Sequence, residues 1–362
     1  MEFESKQIAL RALLAEQNLD AMLLRRVSSF AWATCGAASY VNTAATEGVG
    51  SLLITPAGRY LITDNIEAPR FEKEEQLKVQ GWDFQVHLWH EQPDVIARLT
   101  GKLKLGADVP YPGAMNLSSQ MARLRARLTS EEGQRYRQVG RLCSEAMEAA
   151  IQGVKPGQNE QEIAAILGGE TQKRGVQPIV VLIATDERVF NFRHPLPTDK
   201  QLEHYAMLVL CGRKAGLVIS MTRLVHFGEL PEELKRKAEA VSFVDAAFIA
   251  GTRPGRTTGD VLQDGIEAYG RAGFPNEWNL HHQGGAAGYE AREYFATPGS
   301  ADPISEGQVY AWNPSIAGTK SEDTILVGAE GNELLTAIPG WPTTTVSVRG
   351  QTLARPRILE IT

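Results

Sequence analysis

Met207-Leu-Val-Leu-Cys-Gly-Arg-Lys-Ala-Gly-Leu-Val-Ile-Ser-Met-Thr-Arg-Leu-Val225 is a stretch that the chain carries twice. Its echo is Val309-Tyr-Ala-Trp-Asn-Pro-Ser-Ile-Ala-Gly-Thr-Lys-Ser-Glu-Asp-Thr-Ile-Leu-Val327. At an offset of 102, Ala215-Gly216 falls on Ala317-Gly318, Thr222 on Thr324, and Leu224-Val225 on Leu326-Val327. Apolar arms around a glycine-bearing turn predict a β-hairpin. Two related hairpins predict a pseudo-twofold domain with a site where its halves meet. Inside the echo, Cys211 pairs with Asn313 and Ser220 with Glu322, so these four polar residues are expected to line that site.

The repeat extends upstream. Ala149-Ala-Ile-Gln-Gly-Val-Lys-Pro-Gly157 is echoed by Ala247-Phe-Ile-Ala-Gly-Thr-Arg-Pro-Gly255 at an offset of 98, and Gly175 by Gly273. Each half reads as helix, Lys/Arg-Pro-Gly turn, helix, then strands ending in the hairpin. The halves span about 129–230 and 231–330. Thr129 or Ser130, followed by two glutamates, caps a long helix running to about Gln152, and a second helix fits Glu160 to Arg174. Ahead of this boundary, residues 1–128 read as a smaller α/β domain with a mixed sheet. A strand at Asp20–Leu24 and a hairpin turning at Pro56-Ala-Gly-Arg59 mark it. The remainder, 129–362, is the second domain.

Composition bounds the function. The chain has 362 residues, 43% hydrophobic and 22% charged, as in a soluble globular protein. Its net charge of −6 lacks the basic footprint of general nucleic-acid binding. No apolar run approaches membrane-span length. The acidic, amphipathic start is unlike a secretory signal. Three scattered cysteines, Cys35, Cys143 and Cys211, predict reduced thiols in the cytoplasm and no paired-cysteine zinc site.

Five segments carry a resemblance: Lys155-Pro-Gly157, His194-Pro-Leu-Pro-Thr-Asp199, Thr222-Arg223, Gly284 to Glu293, and Ser321-Glu-Asp-Thr-Ile-Leu-Val327. In this order they resemble the "pita-bread" domain of the creatinase, aminopeptidase P and prolidase family, and the first ~125 residues resemble that family's smaller N-terminal domain. The fold implied is α+β, a pita-bread domain with an internal pseudo-twofold repeat behind a creatinase-type α/β domain. The resemblance also implies a homodimer with sites near the interface, which Arg25-Arg26 and Tyr40-Val-Asn42 of a partner would reach.

The metallopeptidases of this family hold two divalent ions with two Asp, one His and two Glu. At the matching places this chain has the run Leu208–Gly212, then Ser220, Gly285 and Asn313; of the five ligands only Glu322 survives. One carboxylate, an amide, a hydroxyl and a thiol do not make a cage for hard cations, so no metal and no cofactor are expected. His194 stands at the family's substrate-binding histidine, which is the catalytic histidine of metal-free creatinase, and Glu322 matches an acid that creatinase keeps.

An imidazole can take a proton from water and return it to a leaving nitrogen. Without Lewis-acid help the substrate must already be electrophilic. The expectation is therefore metal-independent hydrolysis of a C–N bond in a small guanidino, amidino or cyclic amidine compound. His194 and Glu322 are the catalytic pair, with Glu322 orienting the imidazole or holding a cationic substrate in an anionic pocket. Arg292, His281, His282, Trp312, Asn313, Cys211 and Ser220 are candidate substrate contacts. Arg292 would grip a substrate carboxylate; its bland role is an ion pair with Glu290 or Glu293. Glu322 has a bland role too, paired with Lys320 or Arg292, and Cys211 that of an inert buried thiol. Two other readings compete: a non-catalytic binding protein on the same fold, and an Xaa-Pro peptidase with atypical metal ligands.

Overall fold

The computed structural model describes residues 2–91 and 93–362. They divide into two compact units, one up to Arg125 and the other Ala126–Thr362. In the first, a six-stranded mixed sheet runs in the order Asp83–His87, Gly58–Asp64, Glu47–Thr55, Ala21–Arg26, Leu105–Ala107, Met115–Asn116. The hairpin at its centre pairs Thr55 with Gly58 across Pro56-Ala57. Ala21, Leu23, Leu53 and Ala107 form its apolar interior.

Among the described residues the second unit has two larger sheets beside two two-stranded ladders. One orders Leu359–Ile361, Leu217–Phe227, Tyr205–Lys214 and Gln177–Thr185; the other orders Tyr294–Phe295, Gly284–Ala287, Val309–Trp312, Asp323–Val327 and Asn332–Leu334. They meet where Thr222 bridges Glu322, the Thr222 amide donating to the Glu322 carbonyl at 3.1 Å. The helices Ser130–Gly153, Glu160–Lys173, Glu232–Gly251 and Thr258–Arg271 complete the unit. Phe248 of the third helix stacks on Trp312 of the second sheet at 4.7 Å.

The duplication is visible atom by atom. In the first hairpin Met207 pairs with Leu224, Leu208 with Arg223, Val209 with Thr222 and Leu210 with Met221. In the second, Val309 pairs with Leu326, Tyr310 with Ile325, Ala311 with Thr324 and Trp312 with Asp323. Every partner is shifted by the same 102 positions. Upstream, Asn159 and Glu162 form a capping box, and so do Thr257 and Asp260, 98 residues later. Each box satisfies helix N-terminal amides that would otherwise lack partners. Gly157 and Gly255, both at positive φ (90° and 85°), make the turn ahead of each box.

The hairpins differ at their tips. The first turns directly at Ala215-Gly216, both at positive φ. The expected second hairpin is instead two arms joined by a smaller ladder, Ser315–Ile316 against Thr319–Lys320, tipped by Ala317-Gly318. Pro314 has no amide hydrogen for a ladder, so the arm breaks there and restarts. Residues after 330 lie outside the repeat. They add the hairpin Thr343–Val348/Gln351–Pro356 and bring Leu359–Ile361 parallel to Val225–Phe227.

Candidate active site

Period-2 alternation sorts the stretch Lys320-Ser-Glu-Asp323 onto two faces. Ser321 and Asp323 point into a buried polar cluster. Asp323 accepts from Arg223 at 2.8 Å, Thr336 at 2.6 Å and Arg355 at 2.5 Å, and Arg355 also reaches Asp245 at 2.6 Å. Lys320 and Glu322 point the other way, into a cavity of about 420 Å³. Its lining includes His194, His282, Cys211, Asn313, Arg292 and Glu290 beside the apolar Val180, Leu182, Val209 and Phe295.

Glu322 is clamped on three sides. Its carboxylate accepts from Lys320 Nζ at 2.8 Å, Arg292 Nη2 at 3.1 Å and Thr222 Oγ1 at 2.6 Å. The three charged side chains are each 5% exposed or less. Burial alone would push this carboxyl up. The Lys320 and Arg292 charges, with hydrogen bonds from Lys320 and Thr222, outweigh burial and hold it at about 2. Glu322 is thus anionic and already neutralised.

His194 sits in the loop after the short helix Glu187–Asn191. Buried Glu160 closes that loop from below: it accepts from the Thr185 amide at 2.8 Å on one side and the Thr198 amide at 2.9 Å on the other, and from Arg188. The neighbouring Arg193 ion-pairs with Glu277, at the start of the 3-10 turn that delivers His281. These ties join two segments 87 residues apart, and His194 Nε2 lies 3.0 Å from His281 Nε2. His281 Nδ1 is 3.4 Å from Ser315 Oγ. The His282 ring lies tilted beside both imidazoles and against Phe295 at 4.6 Å. Burial, then Lys320, takes His281 down to about 2; burial, then Arg292, takes His282 down to about 4. Burial and Lys320 also lower His194, so all three rings are neutral near pH 7.

Several sequence expectations change here. Glu322 is not the carboxylate that orients His194; among the described residues its side-chain partners are Lys320, Arg292 and Thr222. Arg292 pairs with Glu322 and donates to Ser220 Oγ at 3.1 Å, rather than pairing with Glu290 or Glu293. The pocket is not anionic, because Lys320 and Arg292 offset Glu322 and Glu290. Trp312 is a core residue, fully buried, stacked on Phe248 and donating to Thr252 Oγ1 at 2.9 Å. Ser220 lies behind the cavity wall, 3.3 Å from Cys211 Sγ. Burial raises the Cys211 thiol, so it stays protonated and poorly nucleophilic. Asn313 does reach the cavity, and its buried Oδ1 has no hydrogen-bond partner among the described residues. Lys320, which sequence reading left as a bland partner for Glu322, is the main residue missed; its signal was the alternation that puts it on the same face as Glu322.

The Metallopeptidase family M24 model matches residues 134–329 of the chain. The chain belongs to metallopeptidase family M24. A Creatinase/Prolidase N-terminal domain model matches residues 8–136. An uncharacterized peptidase of Staphylococcus saprophyticus is 25% identical over 219 residues, covering 58% of this chain and 62% of the relative. One from Staphylococcus haemolyticus is 24% identical over 232 residues, covering 61% and 65%. The chain therefore spans less than two thirds of the length of these relatives. The prolidase of Pyrococcus horikoshii superposes with a TM-score of 0.79 at 20% identity, covering 93% of this chain and 99% of that one. The Xaa-Pro dipeptidase of Bacillus anthracis gives 0.78 at 19%, covering 99% and 100%. The N-terminal domain of FACT complex subunit SPT16 from chickpea gives 0.69 at 13%, covering 94% and 95%. These likenesses share the fold.

An M24 metallopeptidase implies divalent ions, and the residues here do not fit two of them. A Cβ at Gly285 would lie 2.2 Å from the Tyr294 carbonyl oxygen, so no side chain fits at that ligand position. Glu322 already carries two cationic partners, the Lys320 ammonium and the Arg292 guanidinium, that would repel a metal. No helix among the described residues is long and apolar enough to cross a membrane.

Proposed function

We propose that this M24 member is a metal-independent, creatinase-like hydrolase of a C–N bond in a small guanidino, amidino or cyclic amidine compound that also carries a carboxylate. The observation that carries the reading is the Lys320–Glu322–Arg292 clamp beside neutral His194 in one cavity. The formal charges of the lining side chains cancel, which suits a zwitterion better than a bare cation. Lys320 uses one of its three donors on Glu322, and Arg292 Nε has no hydrogen-bond partner among the described residues. These groups are available to a substrate carboxylate or to a developing oxyanion. The unpartnered Asn313 Oδ1 is an acceptor for the N–H groups of an amidine.

In this reading His194 takes a proton from water as its oxygen bonds to the amidine carbon. The C–N bond then breaks, and His194 returns the proton to the leaving nitrogen. His281, 3.0 Å away, fixes the ring and its tautomer. Cytoplasmic location and a homodimer belong to the same proposal. A non-catalytic binding role is the second reading, favoured by the saturated Glu322. A panel of guanidino and amidine acids, each with its decarboxylated analogue, separates them by release of urea, ammonia or an acyl product. Turnover of the acids, reduced about 100-fold or more in His194→Ala, supports the enzyme. Binding without turnover across the panel supports the second reading, and full activity in His194→Ala removes His194 from the chemistry.

A further inference from the structure

We propose that His194, His281 and His282 form a binding site for a single divalent transition-metal ion of the zinc class, separate from the positions where the family's two ions sit. One ring nitrogen of each histidine lies within 4.8 Å of the other two. Among the described residues this is the only such grouping of three potential metal ligands. Three imidazoles are borderline ligands that select zinc, copper or nickel over magnesium or calcium. Tetrahedral zinc, with Zn–N bonds of about 2.0–2.1 Å, separates its ligand nitrogens by about 3.3 Å. His194 Nε2 and His281 Nε2 are 3.0 Å apart. A small side-chain rotation, aided by the exposure of His194, seats an ion where those two nitrogens now share a proton.

The surroundings are built for ligation. With Nε2 of His281 on the metal, its Nδ1–H faces Ser315 Oγ at 3.4 Å, the outer-shell partner that fixes the tautomer. Gln283 donates to the His281 carbonyl at 2.6 Å and accepts from Tyr269, fixing the backbone of the pair. His194 and His282 both line the cavity, so the fourth position opens toward it. Lys320 and Arg292 oppose a cation here and Glu322 favours it; the balance makes the site weaker than an isolated zinc site. One consequence rests on the acid–base reading given above: an ion on His194 Nε2 keeps the ring's proton on Nδ1, leaving no lone pair to take a proton from water, so zinc stops turnover.

Equilibrium dialysis of the EDTA-stripped full chain against zinc chloride, followed by elemental analysis, tests the site without any activity assay. One zinc per chain is expected, and cobalt(II) in its place gives the visible absorption of tetrahedral coordination. His282→Ala and His281→Ala each lower the affinity by at least about 10-fold, whereas His87→Ala, in the other unit, leaves it unchanged. Among the described residues the His282 side chain makes no hydrogen bond, which keeps that variant interpretable if His281→Ala unfolds. Absence of zinc, or undiminished zinc in His282→Ala, overturns the site. Turnover by the metal-free protein is a separate measurement. Its absence with zinc still bound would remove the acid–base reading and leave the site standing.

Discussion

Replacing Lys320 by Met removes one of the two cations that hold Glu322 while keeping most of the buried volume. The Glu322 carboxyl is depressed from 4.5 to about 2 in the folded chain. At 1.36 kcal/mol per unit, its environment stabilises the charged form by roughly 3 kcal/mol. Breaking a buried ion pair by deleting one partner costs about 3–5 kcal/mol; Arg292 at 3.1 Å and Thr222 at 2.6 Å remain, which places Lys320→Met near the lower figure. For a unit of this size the loss corresponds to a fall of roughly 6–12 °C in Tm. The pH dependence follows from the depressed folded value. The stabilisation is present above about pH 4.5 and is lost as pH falls toward about 2. In Lys320→Met the folded value is less depressed, so the acid loss starts at the same pH but is smaller and is complete at a higher pH. Calorimetry of both proteins at pH 7 and pH 4 reads both effects. An unchanged Tm, within about 2 °C at each pH, would refute the clamp as the element holding Glu322.

Three further outcomes are expected. Glu160→Ala, which unties both ends of the His194 loop, lowers stability by roughly 3 kcal/mol and raises KM more than it lowers kcat; a purely structural role would leave KM unchanged. The acidic limb of kcat/KM falls below pH 6.5, because burial and Lys320 lower His194 and only the neutral ring accepts a proton; activity is then lost as pH drops through that value, and a limb at or above pH 7 would contradict it. A thiol-alkylating reagent at pH 8 labels half-buried Cys35 and spares Cys143, which burial takes to about 12, and Cys211, which burial also raises; mass spectrometry showing rapid Cys211 modification would contradict its being an inert buried thiol.

The repeat was legible because strand register survives in sequence. A 102-residue offset that preserves every pair from Val309–Leu326 to Trp312–Asp323 leaves its apolar pattern on both copies. The capping boxes were half legible, since Thr129 announced the first helix but the matched boxes at Asn159 and Thr257 went unread. The site was less so. Nothing in spacing brings His194 within 3.0 Å of His281; that contact depends on the Arg193–Glu277 tie and on Glu160 beneath the loop. Lys320-Ser-Glu-Asp323 looks like a solvated polar run, and only burial of both its faces reveals that Lys320 serves the cavity and Asp323 the Arg223–Arg355 cluster. Trp312, beside Asn313, reads as pocket wall or core, and alternation with Tyr310, on which it stacks, decides for the core. The C-terminal hairpin lies outside the repeat and so has no echo in the sequence, yet it delivers Arg355, one of the largest fully buried side chains.

The most direct test of the account is turnover by protein stripped of metal. The chain is treated with EDTA, checked by elemental analysis for Mn, Co, Fe and Zn, and assayed on the guanidino and amidine acids. Undiminished C–N cleavage in the metal-free protein is the outcome predicted by the Lys320–Glu322–Arg292 clamp and His194. Cleavage that appears only when two equivalents of a divalent ion are restored would contradict it.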